Sequence, residues 1–236
     1  MKGKLYGVGV GPGDPELITV KARRILEEVE VVAAPRPKGE TEGSALKIVG
    51  DFVQGKSLLE LSLPMTQNRN KLIAGWQNAA CDICRELEGG KDVAFITLGY
   101  PAIYSTFMYI CRIVEQEGYA VEIIPGVPSF CAAAAKAGIN LSEGSETLAV
   151  VPGTAGLKEL EEILARFDTI VVMKASSIWG ELKAKLDAGG LLAGSVLVER
   201  CGMEGECVIR GSDINGCINP DYFSTLIVKK NGVEHI

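Results

Sequence analysis

Short apolar runs bounded by turn residues alternate along this chain with longer stretches whose apolar positions recur every three or four residues. The runs predict strands and the stretches amphipathic helices. Strands are expected at 4–9, 29–34, 56–61 and 92–97, interleaved with helices at 15–28, 44–52, 68–87 and 103–116. In the longest helix Leu72, Trp76, Ala79, Ala80, Ile83 and Leu87 fall on one stripe, which marks them as core. A second series combines strands 121–124, 147–151 and 169–173 with helices 129–137, 157–167 and 178–186. Its last three strands, 195–200, 206–210 and 223–228, lack crossover helices between them and so predict antiparallel pairing. The expected fold class is α/β: an N-terminal α/β domain over 1–120 and a C-terminal α/β domain with a mixed sheet over 121–236.

The first strand runs into Gly7-Val-Gly-Val-Gly-Pro-Gly-Asp-Pro-Glu-Leu17, which places four glycines and two prolines ahead of a helix. Glycine has no Cβ, so main chain is expected to come unusually close to something at this point. A dinucleotide-binding loop is one reading. Against it, Pro12, Gly13, Asp14 and Pro15 intervene before the helix, and the next strand ends in Ala-Ala-Pro35 where such folds carry a ribose-binding acid. Asp14 reads as a helix N-cap, with Pro15 at the first helical position, where its missing N–H costs nothing.

Composition narrows the functional classes. With 47% hydrophobic and 23% charged residues in 236, the chain has enough apolar material for a sizeable core and is not a disordered segment. A net charge of −6 without a dense basic cluster argues against nucleic acid as partner. No apolar run approaches the length of a membrane span, and glycine and proline interrupt the first apolar stretch before a signal-peptide core forms, so the cytoplasm is the expected location. Seven cysteines, an odd number scattered along the chain, fit reduced thiols. Cys81-Asp-Ile-Cys84 lies inside a predicted helix, and zinc would need two more ligands in a chain whose one histidine is His235; no metal is expected.

Four segments, in order, resemble the S-adenosylmethionine-dependent tetrapyrrole methylase family over almost the whole chain. They are Gly7-Val-Gly-Val-Gly-Pro-Gly-Asp-Pro-Glu-Leu-Ile-Thr19, Thr97-Leu-Gly-Tyr-Pro-Ala-Ile-Tyr-Ser-Thr-Phe107, Ile124-Pro-Gly-Val-Pro-Ser-Phe130 and Val171-Val-Met-Lys-Ala175. Within that family, Leu63-Pro-Met-Thr66, Tyr104-Ser-Thr-Phe107 and Tyr222-Phe-Ser-Thr225 are similar to the enzymes that methylate C20 of precorrin-2, or its cobalt complex, on the way to cobalamin. The sister enzymes acting on uroporphyrinogen III carry a Phe-Gly-Arg-type continuation instead of Tyr-Ser-Thr. The resemblance implies two α/β domains with the active site in the cleft between them, a homodimer, a reduced tetrapyrrole as substrate and S-adenosylmethionine as co-substrate. It further implies cofactor contacts at Leu98, Gly99, Tyr100, Ile103, Tyr104, Ser105 and Thr106, and a second wall of Ser129, Phe130, Met173 and Lys174. The loop around Pro12–Asp14 would reach between cofactor and macrocycle, with Pro12 among the cofactor contacts. The family pattern Gly-Asp-Pro reads Gly99-Tyr100-Pro101 here, which removes a charge and adds bulk.

A sulfonium methyl is already activated and a reduced tetrapyrrole is electron-rich, so such a site needs alignment more than side-chain chemistry. The carbon that gains the methyl group must later lose a proton or the ring must rearrange its double bonds; for a proton loss Asp14 is the candidate base, beside its reading as a helix cap. The acid arms of the substrate call for local cations, and Lys21, Arg36, Lys38, Lys136 and Lys174 are the candidates. Three other functions stay open from the residues: a family member acting at another ring position, a nicotinamide-dependent oxidoreductase, and a tetrapyrrole carrier that never consumes S-adenosylmethionine.

Overall fold

Five short apolar strands, β1 (Leu5–Gly9), β2 (Val31–Pro35), β3 (Ser57–Leu61), β4 (Val93–Thr97) and β5 (Val121–Ile124), lie parallel in the order β3-β2-β4-β1-β5. They form the sheet of the first of two units, Met1–Pro128 and Ser129–Ile236, in a computed structural model that describes residues 2–36 and 43–232. Successive strand residues point to opposite faces, and a parallel sheet needs both faces covered. Val8, Val32, Ala34, Ala94 and Ile96 meet α1 (Val20–Glu28) and α2 (Ser44–Val49) on one face. Leu5, Val31, Ala33, Val93 and Phe95 meet α3 (Arg69–Glu88) and α4 (Phe107–Gln116) on the other. A Cβ on Gly7 would stand 2.1 Å from the Phe107 ring, so this glycine is what lets α4 sit down on β1. The expected stripe on α3 is present from Trp76 onward: Ala79, Ala80, Ile83 and Leu87 are buried and Trp76 packs against them, whereas Leu72, one turn earlier, is only half-buried and outside that cluster.

Three expectations are corrected here. The strand at 121–124 belongs to the first sheet, because β5 hydrogen-bonds β1, and the units part between Pro128 and Ser129 instead of after residue 120. The helix expected over 15–28 is two pieces. Pro15–Leu17 forms one 3-10 turn capped by Asp14, Ile18 and Thr19 are extended, and Thr19 then caps α1 by accepting a hydrogen bond from Ala22 N at 3.2 Å. The helix expected from 103 begins at Phe107, because Tyr104 takes a left-handed φ of 49° that no helix continues through.

In the second unit α5 (Ser129–Ala137) precedes β6 (Leu148–Pro152), α6 (Leu157–Arg166), β7 (Thr169–Met173), α7 (Trp179–Ala188), β8 (Ser195–Glu199), β9 (Cys207–Arg210) and β10 (Ser224–Lys229). The sheet order is β6-β7-β10-β8-β9, parallel between β6 and β7 and antiparallel elsewhere, as the missing crossover helices led one to expect. Leu160, Trp179, Leu182 and Leu186 from α6 and α7 cover Ile170, Val172, Leu197, Leu226 and Val228. The buried Trp179 indole N–H donates to the Cys217 carbonyl at 2.9 Å, which ties α7 to the segment before β10.

Candidate active site

The first sheet has its topological switch point between β1 and β4. These neighbours run parallel, yet β1 leads to α1 on one face and β4 leads to α4 on the other, so the chain departs to opposite faces beyond their carboxyl ends. Open α/β sheets bind ligands at such points. Three glycines let the main chain converge beside it. A Cβ on Gly9 would lie 2.5 Å from Gly99 O and 2.7 Å from Gly126 N, and one on Gly126 would lie 2.2 Å from Gly99 O. Beyond the strands the two loops stay tied: Gly99 N donates to Gly11 O at 2.8 Å, and both glycines have positive φ, 80° at Gly11 and 65° at Gly99.

This pairing brings the N-terminal loop against the loop that follows β4, and with it Pro12 and Leu98 through Thr106. Pro12 and Gly99 are buried, while Leu98 packs into the core cluster under α1. Ser105 is committed to structure. Its hydroxyl lies 3.1 Å from Thr97 Oγ1 and accepts from Phe107 N at 3.2 Å, so it supplies the cap of α4 that Thr106 does not. Tyr104 is 47% exposed on its left-handed backbone. Asp14 accepts from Glu16 N at 2.9 Å, the capping role read from the sequence.

In the second unit Met173 closes β7 and Lys174 follows in a left-handed conformation, φ 58° and ψ 42°. A Cβ on Gly153, just past β6, would stand 2.5 Å from Lys174 O, so the parallel neighbour of β7 is stripped to backbone at this level. Ser129 and Phe130 open α5, with Phe130 buried. At the same edge of the sheet lie the end of β8 and the start of β10, which bring in Arg200 and Tyr222. Neither was picked out as a site residue from the sequence. Arg200 read as the last residue of a strand, whereas it has a left-handed φ of 50°; its Nη1 pairs with Asp221 Oδ2 at 3.0 Å and its N–H donates to Phe223 O at 2.9 Å. Tyr222 was part of a quoted motif without a role, and a large aromatic beside Asp-Tyr-Phe-Ser was the available signal.

Most of the candidate cations are spent on carboxylates. Lys21 and Lys4 each lie 2.5 Å from Glu122, and their hydrogen bonds, Lys21 first, hold its carboxyl down to about 2. Lys136 meets Glu206 at 2.5 Å and Arg36 meets Glu60 at 3.6 Å. Lys174 differs: among the described residues no carboxylate lies within 4 Å of its Nζ, which sits 5.8 Å from the centre of the Tyr222 ring. Lys38 and His235 lie outside the described residues. Cys81 is exposed and accepts from Arg85, while Cys84 packs into the first core, where burial pushes its thiol up. Among the described residues no group of three or more His, Cys, Asp and Glu is arranged to hold a metal, and no helix is long and apolar enough to cross a membrane.

A family model for tetrapyrrole (corrin/porphyrin) methylases matches residues 4–212. The chain is 37% identical over 229 residues to the probable cobalt-precorrin-2 C(20)-methyltransferase of Methanocaldococcus jannaschii, covering 96% of each chain. It is 34% identical over 232 residues to the cobalt-precorrin-2 C(20)-methyltransferase of Salmonella typhimurium, covering 98% of each. Among solved structures, the uroporphyrin-III C-methyltransferase of Thermus thermophilus complexed with S-adenosylhomocysteine matches with a TM-score of 0.72 at 22% identity, over 97% of this chain and 92% of that one. A family match over residues 4–212, joined to relatives similar from end to end, is decisive: the chain belongs to the tetrapyrrole (corrin/porphyrin) methylases.

Proposed function

We infer that the protein is an S-adenosylmethionine-dependent methyltransferase that methylates C20 of precorrin-2 or its cobalt complex in cobalamin biosynthesis. The observation that carries this reading is the similarity, over 96% and 98% of the chain, to two C20 methyltransferases. We assign cofactor contacts to Pro12, Leu98, Gly99, Tyr100, Ile103, Tyr104, Ser105 and Thr106 in the first unit, and to Ser129, Phe130, Met173 and Lys174 in the second. The residues suit the cofactor. Bare peptides at Gly11 and Gly99 admit close approach, and no acidic side chain occurs from Leu98 to Thr106.

When bound, S-adenosylmethionine supplies a methyl group already activated on a sulfonium sulfur. An adjacent carboxylate would hold that cation in the starting state and lose the advantage as the charge disperses. Tyr100 in place of the family aspartate therefore leaves the loop neutral without removing a group the transfer requires. What the loop provides is fixed backbone. Holding reactants in line can supply roughly 7–11 kcal/mol of the barrier, and the Gly11–Gly99 pairing, the Ser105 cap and the glycine-lined strand ends are the devices that fix it. Asp14 acts as a cap in this reading, and the protein works as a cytoplasmic homodimer.

Anaerobic incubation with S-adenosylmethionine carrying a labelled methyl group, offering metal-free precorrin-2 and its cobalt complex in parallel, tests the assignment by NMR. Label at C20 is the expected result, and the faster substrate names the branch of the pathway. Label at another ring carbon would move the protein to a different member of the family; no transfer to either substrate would overturn the reading.

A further inference from the structure

Two positions at one edge of the second sheet depart from what a loop residue ordinarily needs. Lys174 holds a left-handed backbone that glycine or asparagine adopts at lower cost, and Gly153 beside it has given up its Cβ to make room for the Lys174 carbonyl. Tyr222 leaves 48% of its surface exposed, although the chain on either side of it is pinned. Asp221 N donates to Glu199 Oε1 at 2.7 Å, Phe223 N donates to Asp221 Oδ1 at 2.7 Å, and Phe223 O accepts from Arg200 N at 2.9 Å. Phe223 meets the Tyr222 ring edge-on at 5.3 Å, and Lys174 N donates to Ser224 O at 3.3 Å, linking the two positions through the main chain. A rigid mount thus presents a flat aromatic face with an ammonium 5.8 Å from its centre. The nearby acids are occupied: Asp221 by Arg200 and Phe223 N, Glu199 by Asp221 N.

We propose that Lys174 and Tyr222 form a substrate-reading platform, the ring lying against the flat macrocycle and the ammonium taking one of its peripheral carboxylates. This rests on the reading of the protein as a tetrapyrrole methyltransferase, and it deepens that reading by naming where a chain of net charge −6 gathers positive charge for a polyacid. Lys21, Lys136 and Arg36 each face a glutamate, so among the described residues Lys174 is the candidate that keeps its charge for a ligand. Its main chain can border the cofactor while its Nζ serves the substrate. The cofactor also carries a carboxylate, so the test must separate the two sources.

Lys174→Gly, Lys174→Arg and Tyr222→Leu would be compared with the parent in three measurements: spectroscopic titration with the cobalt complex of precorrin-2, calorimetric titration with S-adenosylhomocysteine alone, and thermal unfolding. Lys174→Gly removes the ammonium and relieves the left-handed strain, so its melting point is expected at or above the parent's. Its tetrapyrrole affinity should fall about tenfold or more, well beyond any change in S-adenosylhomocysteine affinity. Lys174→Arg should retain most of the affinity, Tyr222→Leu should lose several-fold, and added salt should weaken the parent more than Lys174→Gly. Unchanged tetrapyrrole affinity in Lys174→Gly would overturn the platform, as would a loss confined to S-adenosylhomocysteine, which would give Lys174 to the cofactor. Parent enzyme that methylates another ring carbon, with affinity still dependent on Lys174, would refute the C20 assignment and support the platform. C20 methylation by a parent whose affinity ignores Lys174 would do the reverse.

Discussion

Replacing Gly126 by alanine puts a methyl carbon 2.2 Å from Gly99 O and 2.6 Å from both the carbonyl carbon and the oxygen of Gly9. All three are backbone atoms, so no side chain can rotate out of the way. Ordinary contact starts near 3.4 Å, and the deficit is met only by moving the ends of β1, β4 and β5 apart by about 1 Å. Overpacking of this kind costs about 1–3 kcal/mol, and with main chain on every side the upper end is expected. The displacement bears on the Gly99 carbonyl, whose residue opens the loop we assign to the cofactor and is paired with Gly11, so on that assignment S-adenosylhomocysteine affinity should fall at least about tenfold as contacts along 98–106 shift. Gly118→Ala is the matched control in the same unit. Its φ is 82° and nothing lies within 4 Å of the added methyl, so it pays only left-handed strain, about 1–2 kcal/mol, and should bind S-adenosylhomocysteine like the parent. Urea unfolding midpoints and calorimetric titrations of the two variants decide the matter. A folded Gly126→Ala protein with parental affinity would show that the strand-end contact does not shape the cofactor loop.

Two further outcomes are expected. Asp14→Asn keeps an oxygen for Glu16 N and should transfer methyl groups within about threefold of the parent rate, whereas a loss on the order of a hundredfold in single-turnover assays would make Asp14 a proton acceptor. Glu122 has its carboxyl lowered from 4.5 to about 2 by Lys21 and Lys4, so its ionised form is the one favoured by folding. Its contribution is complete above pH 4.5, fades as pH falls toward 2 and is absent below. The urea midpoint of Glu122→Gln should therefore lie below the parent's at pH 7, with the gap narrowing as pH falls below 4.5 and closing as it reaches about 2; a gap that stays constant to that pH would refute the ion-pair account.

Much of the framework was legible because its causes are local. Val31 and Ala33 against Val32 and Ala34, or Val93 and Phe95 against Ala94 and Ile96, alternate between two helix layers, and that period is written in the sequence. The assignment of β5 failed because its hydrogen bonds reach back to β1, and nothing within 121–124 records which sheet it will join. Asp14 was read rightly as a cap, yet the helix breaks after Leu17 because Thr19 offers a second cap within one turn, and two adjacent start signals do not announce which will hold the long helix. The glycine segments announced close approach through the missing Cβ atoms. Their partners were hidden, since Gly9 meets Gly99 and Gly126 only after three distant strands are side by side. Lys174 and Arg200 carry positive φ without being glycine, a property imposed by the sheet edge and invisible in the letters.

The sheet order has a consequence for how the protein is made. β1 sits between β4 and β5, with Leu5 opposite Val93 on one side and Val121 on the other. It is synthesised long before either partner. At about 5–20 residues per second, on the order of ten seconds pass before Ile124 has been added. Until Thr97 has been added an apolar, glycine-rich segment waits with both of its hydrogen-bonding edges open, while β2 and β3 can pair with each other but lack β4; from then until Ile124 one edge of β1 still has no partner. Nascent chains stalled before residue 121 should thus be held by chaperones or aggregate, and the first unit should fold late and as a whole, with the Gly9–Gly99–Gly126 contact appearing in the same step that closes the sheet.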